Sequence, residues 1–335
     1  PKSIVHSSGG TLIQHLKEHK LQCDIQSGRD RLFWFTTCGW MMWNWLVSGL
    51  ASGASIVLYD GSPGHPNLGA LWRMADRTEI THFGTSPKFL AACSKSELVP
   101  KEIADLSNFK AILSTGAPLV SEQFDWVYDN VNPDIHLASI SGGTDIISCF
   151  ALGNPILNVI SGELQCLGLG MDVASFDSNG IPIENKKGEL VCRKPFPSMP
   201  IYFLNDTNGE KYFKSYFAKH ENIWTHGDFI KINHCGGAVI YGRSDATLNP
   251  GGIRIGTSEI YSAIEGLDFL EDSIAANSIG TDSYILFVKL VSSLTLDDDI
   301  VYKIKNSIKR NLSPKHVPAS IYRVSDIPYT INGKK

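Results

Sequence analysis

The sequence predicts an α/β protein: parallel α/β layers over residues 1–149, a small antiparallel, barrel-like β-rich part over 150–244, and a small α+β domain over 245–335. Three observations carry this. From about residue 30 to 150, short apolar runs alternate with helical stretches, and a β-α-β-α order argues for a parallel sheet. From 150 to 240, helical periodicity fades and short strands alternate with Gly, Pro and Asn turns, the mark of antiparallel pairing. Beyond Arg243–Ala246, a capped helix, a strand, an amphipathic helix and a further strand make a mixed set of their own.

Taken in order, "LFWFTTCGWMMWNWLVSGL" (Leu32 to Leu50) is long and apolar enough to raise a membrane span. It carries Asn44, Ser48, two threonines and two glycines, so a buried strand-turn-helix is expected instead. "ASIVLYD" reads as a strand and "LGALWRMADRTEI" as a helix. "THFGTSPKFLAACSKS" reads as a strand running into a helix, with Pro87 suited to the first turn. "FKAILSTGAPL" is a strand ending in a turn, "SEQFDWVYDNV" a helix with Ser121 as its N-cap, and "DIHLASISGGTD" a strand running into a loop. In such sheets ligands bind at the carboxyl ends of the strands, where "STGAP" and "SISGGTD" lie.

Composition narrows the function. The chain has 335 residues, 43% of them hydrophobic, enough for a substantial core. Thirty basic against 34 acidic residues give a net charge of −4, which offers no footprint for a nucleic-acid partner. The seven cysteines are scattered without a C-x-x-C pair, which fits reduced thiols and a cytoplasmic setting. The chain opens on "PKSIVHSSGG" without a methionine and stops at "NGKK", so it reads as a fragment and leaves targeting open.

Singly, each polar motif has a plain reading. "SGGTD" is an ordinary loop, Asp228 closes an Asx-turn, Arg243 and Asp245 pair on the surface, and Lys334 is solvated. Gly168 to Gly170 lack the third glycine of a dinucleotide fingerprint, and His226, His234 and Cys235 lack zinc spacing. The two adjacent glycines before Thr144 serve either close backbone approach or an opened volume.

In order and spacing, however, the motifs together resemble the adenylate-forming superfamily of acyl-CoA synthetases, luciferases and adenylation domains. "PK" at Pro1–Lys2 is similar to the end of its phosphate loop, "STGAP" to its adenine loop, "SGGTD" to its Thr-Glu motif, and "WTHGD" to its Tyr-x-Thr-Gly-Asp element. "GRSDATLNPGGIRIG" is similar to its hinge, and "PYTINGK" to its catalytic-lysine motif. "KPFPSMPIYFLND", "LSPKHVP" and "DIPYTINGKK" further resemble its acetoacetate–CoA ligases.

The resemblance implies the adenylate-forming fold with a mobile C-terminal domain. It implies a two-step reaction, in which acetoacetate attacks ATP to give an acyl-AMP and pyrophosphate, and the thiol of coenzyme A then displaces AMP. Lys334 and Thr144 are the implied catalytic residues and Asp145 the ligand of Mg²⁺. Gly116, Ala117, Pro118, Ser141, Gly143, Thr144, Asp228, Arg243 and Arg254 would bind ATP or AMP. Asp245 would be the hinge, and Gly251, Gly252, Lys309 and Arg310 would meet coenzyme A. Trp40, Met41 and Gly142 would line the acyl pocket, with Gly142 freeing the volume that a tryptophan fills in acetate-activating relatives. Asp145 replaces the family's Glu, Trp224 its Tyr, His226 its Thr, and Ala246 its second hinge acid. A ligase for another short or medium acid, an inactive nucleotide-binding product, and the oligomeric state all stay open at this point.

Overall fold

A computed structural model describes residues 2–244, 247–248, 255–278, 283–292 and 294–329. Two compact units emerge: Pro1–His226 with Lys231–Ile240, and Gly227–Ile230 with Tyr241–Lys335.

The first unit opens with strand β1 (Ile4–Val5) and helix α1 (Ser8–Lys17), which starts where Ser7 Oγ accepts from the Gly10 N–H. Then follow β2 (Arg31–Trp34), α2 (Met41–Ser48), β3 (Ser55–Val57), α3 (Ala70–Arg77), β4 (His82–Thr85) and α4 (Pro87–Lys95). Helix α5 (Pro100–Ile103), β5 (Ala111–Ser114), α6 (Ser121–Asn130) and β6 (His136–Ser139) complete the layer. Strands β2 to β6 make one parallel sheet, ordered β3-β2-β4-β5-β6.

Alternate side chains feed its two faces, as the period of a strand requires. Phe33, Phe83, Ile112 and Leu137 join one core with Trp72, Leu90 and Phe124 from α3, α4 and α6. Leu32, Trp34, Leu113 and Ala138 join another with Met42 and Trp45 from α2. The apolar run from Leu32 is thus a strand, a turn and a buried helix. Pro87 opens α4 behind an Ser86 cap. Ser121, expected as the N-cap of α6, is instead its first residue. Val120 takes the cap position, and the Gln123 side chain accepts from its N–H, since a serine cap is not needed when a glutamine reaches back.

Beyond β6 the strands turn antiparallel. Strands β7 (Ser141–Gly143), β8 (Ser148–Leu152) and β9 (Cys166–Leu167) form a three-stranded sheet. Then come β10 (Val173–Phe176), β11 (Gly188–Cys192), β12 (Tyr202–Phe203), α7 (Glu210–Tyr216), β13 (Trp224–Ile232) and β14 (Ala238–Arg243). The order β10-β11-β13-β14 makes a four-stranded sheet, and β12 pairs with β1. The expected barrel does not close among the described residues. The strands divide into separate short ladders, and a barrel needs every edge paired.

Helix α1 continues as a turn of π-helix over Glu18–Gln22, and the face it buries is polar: Gln14, His15, Glu18, His19 and Gln22. Donors converge on the Glu18 carboxylate from Gln14 Nε2 at 3.1 Å, Trp45 Nε1 at 2.9 Å, the Cys149 N–H at 3.4 Å and the Ser148 hydroxyl. An ionised carboxylate only accepts, so it suits a ring of donors. His19 lies 4.0 Å from the Trp45 ring, and its Nε2 is 3.0 Å from the Trp45 carbonyl. Burial pushes its pKa down to about 3, so it stays neutral near pH 7. Unfolded, it titrates at about 6.5, and the unfolded chain binds the extra proton between these values. The stability it contributes is therefore full above about pH 6.5 and falls as the pH drops toward 3. Melting temperatures from pH 7 to pH 4.5 should decline, and the decline should be shallower in His19→Gln.

In the second unit, β15 (Thr247–Leu248) pairs with β16 (Ile255–Gly256), and α8 (Thr257–Ile264) follows. Strands β17 (Leu270–Asn277), β18 (Tyr284–Leu290) and β19 (Ser320–Arg323) form a sheet, antiparallel then parallel. Helix α9 (Asp298–Asn311) buries Ile300, Ile304 and Ile308, four residues apart on one face, against it. Asp297 caps α9 by accepting from the Ile300 N–H at 2.8 Å. Asp298 and Asp299 in its first turn and Lys309 and Arg310 in its last complement the helix dipole. Among the described residues no helix is long and apolar enough to cross a membrane, and all seven cysteines are free.

Candidate active site

The carboxyl ends of β5 and β6 set the site in the first unit. Past β5 the chain turns through Gly116, whose φ of 104° suits glycine and leaves Gly116, Ala117 and Pro118 exposed. A side chain on Gly116 would stand 3.8 Å from the Trp40 ring, so this loop and the start of α2 border one another. Thr115 Oγ1 donates to the Ile140 carbonyl at 2.7 Å and ties the loops after β5 and β6 together. Met41, beside Trp40, is buried in the core.

Ser141, Gly142 and Gly143 do not form the expected loop. They pair with β8 as β7, with a register shift between Ser141 and Gly142. A Cβ on Gly142 would lie 2.0 Å from the Ser148 carbonyl oxygen and 2.6 Å from the Cys149 Cα. The expectation that Gly142 frees acyl volume is therefore corrected: the space a side chain would take is filled by the β8 backbone, and glycine is there for close approach. Gly143 has the same need toward a different partner, since its Cβ would sit 2.4 Å from His226 Cε1. His226 packs its ring edge-on against Phe150, centroids 4.7 Å apart, and its Nδ1 accepts from Trp224 Nε1 at 3.4 Å. His226 thus fits a glycine opposite it.

Thr144 follows, exposed, at the start of a 3₁₀ turn. The next carboxylate, Asp145, accepts from Lys2 Nζ at 2.8 Å and from the Tyr216 hydroxyl at 2.5 Å. Burial pushes the Asp145 pKa up, but the Lys2 and Tyr216 bonds outweigh it and hold the carboxyl below the usual aspartate range. The stability this contributes is present above about pH 3.9 and is lost as the pH falls through the lowered value, so Asp145 is anionic at neutral pH. Tyr216 is held by Trp224, with rings 3.8 Å apart and 14° from parallel. The Trp224 indole is thus the platform for the tyrosine that orients Asp145. Lys2 also lies 4.8 Å above the Tyr216 ring. Sequence reasoning missed Tyr216. Its signal was the aromatic spacing Tyr212, Phe213, Tyr216, Phe217, which repeats at four and marks a helical face.

The first unit therefore brings together Lys2, Trp40, Gly116, Ala117, Pro118, Ser141, Gly142, Gly143, Thr144 and Asp145. Asp228 and Arg243 belong to the second unit, with Arg243 Nη1 3.9 Å from Asp228 Oδ1. Lys309 and Arg310 are exposed on α9. Asp245, Gly251, Gly252, Arg254 and Lys334 lie outside the described residues. Among those described, no cluster of three His, Cys, Asp or Glu side chains could hold a metal.

The model of the AMP-binding enzyme family matches residues 1–203. An acetoacetyl-coenzyme A synthetase of Rhizobium meliloti (strain 1021) is 51% identical over 336 aligned positions, covering 100% of this chain and 52% of the relative. The acetoacetyl-CoA synthetase of Gallus gallus is 49% identical, covering 100% and 51%. The solved acetoacetyl-CoA synthetase of Streptomyces lividans superposes with a TM-score of 0.95 at 47% identity, covering 100% of this chain and 52% of that one. An anthranilate CoA ligase, AuaEII, in complex with anthranoyl-AMP, superposes with a TM-score of 0.79 at 18% identity over 99% of this chain and 65% of its own, which speaks to fold alone. The chain spans about half the length of the curated relatives it matches.

Proposed function

We propose, from the premise that this chain belongs to the AMP-binding enzyme family, that its protein is an acetoacetate–CoA ligase. Acetoacetate attacks the α-phosphate of ATP, giving acetoacetyl-AMP and pyrophosphate. The thiol of coenzyme A then attacks the acyl carbon and AMP leaves. The observation that carries this reading is the 51% identity across the whole chain to an acetoacetyl-coenzyme A synthetase.

The geometry suits the first step. A carboxylate attacking a phosphate brings like charges together, so the site needs preorganised donors and cations. Thr144 is exposed at the head of its turn and offers a hydroxyl donor to the α-phosphate. Lys2 carries a cation beside it and is held by Asp145. Asp145 is one hard, anionic oxygen donor, which fits Mg²⁺ bound by a single carboxylate together with substrate phosphates. Bound there, Mg²⁺ would neutralise phosphate charge. Gly116, Ala117 and Pro118 flank the adenine beside Trp40, and Trp40 and Met41 border the acyl group. Ser141 and Gly143 complete the nucleotide site. Asp228 would hold the ribose, and Arg243 would contact ribose or phosphate. By the resemblance, Lys334 would bridge the two reacting groups and Arg254 would serve the phosphate chemistry. By the same resemblance Asp245 would be the hinge, and Gly251, Gly252, Lys309 and Arg310 would meet coenzyme A. Seven free cysteines support a reducing, cytoplasmic compartment.

The test is thioester formation by the complete protein from acetoacetate, ATP and coenzyme A, with and without Lys334→Ala. The parent should release AMP and acetoacetyl-CoA. The variant should lose at least about a hundredfold in adenylation while AMP still binds. Full activity in the variant would refute the role of Lys334, and an inert parent would refute the ligase.

A further inference from the structure

Immediately after Thr144 and Asp145 the chain does something unfavourable. Ile147, a β-branched residue, sits at φ 47°, ψ 35°, in the left-handed region. Such a conformation persists only where its surroundings over-determine it. The Ile147 N–H donates to the Thr144 carbonyl at 3.1 Å, which closes the turn from within. Its carbonyl accepts from His15 Nε2 at 2.5 Å. The next two residues are held by Glu18, which accepts from the Ser148 hydroxyl and from the Cys149 N–H at 3.4 Å.

Both holders come from the buried polar face of α1 and its π-helical extension, about 130 residues earlier in the chain. His15 is itself anchored, with Nδ1 2.9 Å from Ser48 Oγ on α2. Because the Ile147 carbonyl can only accept, the proton must be on His15 Nε2, and the Ser48 hydroxyl faces Nδ1. Glu18 is anchored by Gln14 and Trp45, and Gln14 Nε2 also reaches Ser148 Oγ at 2.9 Å. Neither residue reaches the exposed Thr144 or the Asp145 carboxylate directly.

We propose that His15 and Glu18 are positioning residues for adenylation: they clamp the return limb of the turn whose outward limb presents Thr144 and Asp145. The inference rests on the adenylation reading above for what the turn does, and on the geometry alone for what holds it. A clamp of this kind sets where a hydroxyl and a carboxylate meet phosphate, so its loss raises the Mg²⁺ and ATP concentrations needed as well as lowering turnover.

The experiment uses His15→Leu, His15→Gln and Glu18→Gln in the complete protein. Glutamine at 15 keeps a donor for the Ile147 carbonyl, and leucine removes it. Glutamine at 18 turns an amide donor toward donors. Two measurements are made: amide hydrogen exchange across residues 142–149, and pyrophosphate exchange as a function of Mg²⁺–ATP. In His15→Leu and Glu18→Gln, amide exchange in that segment should quicken at least about tenfold while the parallel sheet keeps its protection. The KM for Mg²⁺–ATP should rise along with the fall in kcat. His15→Gln should stay within about threefold of the parent in both. Unchanged protection in His15→Leu, loss of protection spread evenly over the whole unit, or a glutamine variant as impaired as leucine would overturn the proposal. If the parent shows no pyrophosphate exchange, the adenylation reading fails, and amide exchange still decides whether the clamp exists.

Discussion

Gly142→Ala is expected to destabilise the protein strongly. Its methyl carbon would lie 2.0 Å from the Ser148 carbonyl oxygen and 2.6 Å from the Cys149 Cα, and both obstacles are backbone. A flexible side chain could swing aside, but β8 cannot, because Cys149 and Leu152 are packed into the core behind the parallel sheet. Overpacking costs about 1–3 kcal/mol, and with fixed backbone as the obstacle the upper end is expected, a large share of the stability of a typical domain. Urea unfolding of the variant measures this. The rival explanation, in which Gly142 empties a pocket, predicts the opposite: normal stability and a preference shifted toward shorter acids. A stable Gly142→Ala with altered acid preference would restore that explanation.

Asp145→Asn should lower pyrophosphate exchange by about a hundredfold or more with the fold intact. The carboxylate receives two donors, Lys2 Nζ and the Tyr216 hydroxyl. Both donors meet the same oxygen, Oδ2, so the one amide oxygen of asparagine can still accept from each, and what the substitution removes is the charge that fits Mg²⁺. The Lys2 amine would lose its ion-pair partner beside the phosphates. Raising Mg²⁺ should recover little of the activity, because the missing group is the ligand. A variant with parental kcat at ordinary Mg²⁺ would show that Asp145 serves only to hold Lys2. Tyr216→Phe separates these roles, since it removes one hydrogen bond to Asp145 without touching charge, and its loss should be far smaller.

The parallel sheet was legible in the sequence because its strands are continuous apolar runs bounded by turns. Leu32 to Trp34 and Ala111 to Leu113 are buried on both faces and read the same way from either. The position of the two loops followed from that, since β5 and β6 end where "STGAP" and "SISGGTD" begin. Helix α1 was not legible. Its buried positions, Gln14, His15, Glu18, His19 and Gln22, keep a spacing of four but are polar, and a polar stripe reads as a solvent face. Besides the local Gln14 and Lys17, the donors that make its burial possible converge from Trp45, Ser148 and Cys149, which lie far away in sequence.

Gly142 shows a different limit. Glycine serves both close approach and open space, and the sequence carries no mark of which is in use. The β7–β8 register decides it. The departures Trp224 and His226 were visible as unusual residues, but their partners, Tyr216 and Gly143, are set by packing. The expected barrel failed for a related reason: alternating short strands announce antiparallel pairing without saying whether the outer edges meet.

The most direct test of the adenylation reading is ATP–pyrophosphate exchange by the complete protein with acetoacetate, acetate and butyrate compared at equal concentration. Exchange should be fastest with acetoacetate. Exchange favouring acetate or butyrate would contradict the assignment of the acid, and no exchange with any of the three would contradict adenylation itself.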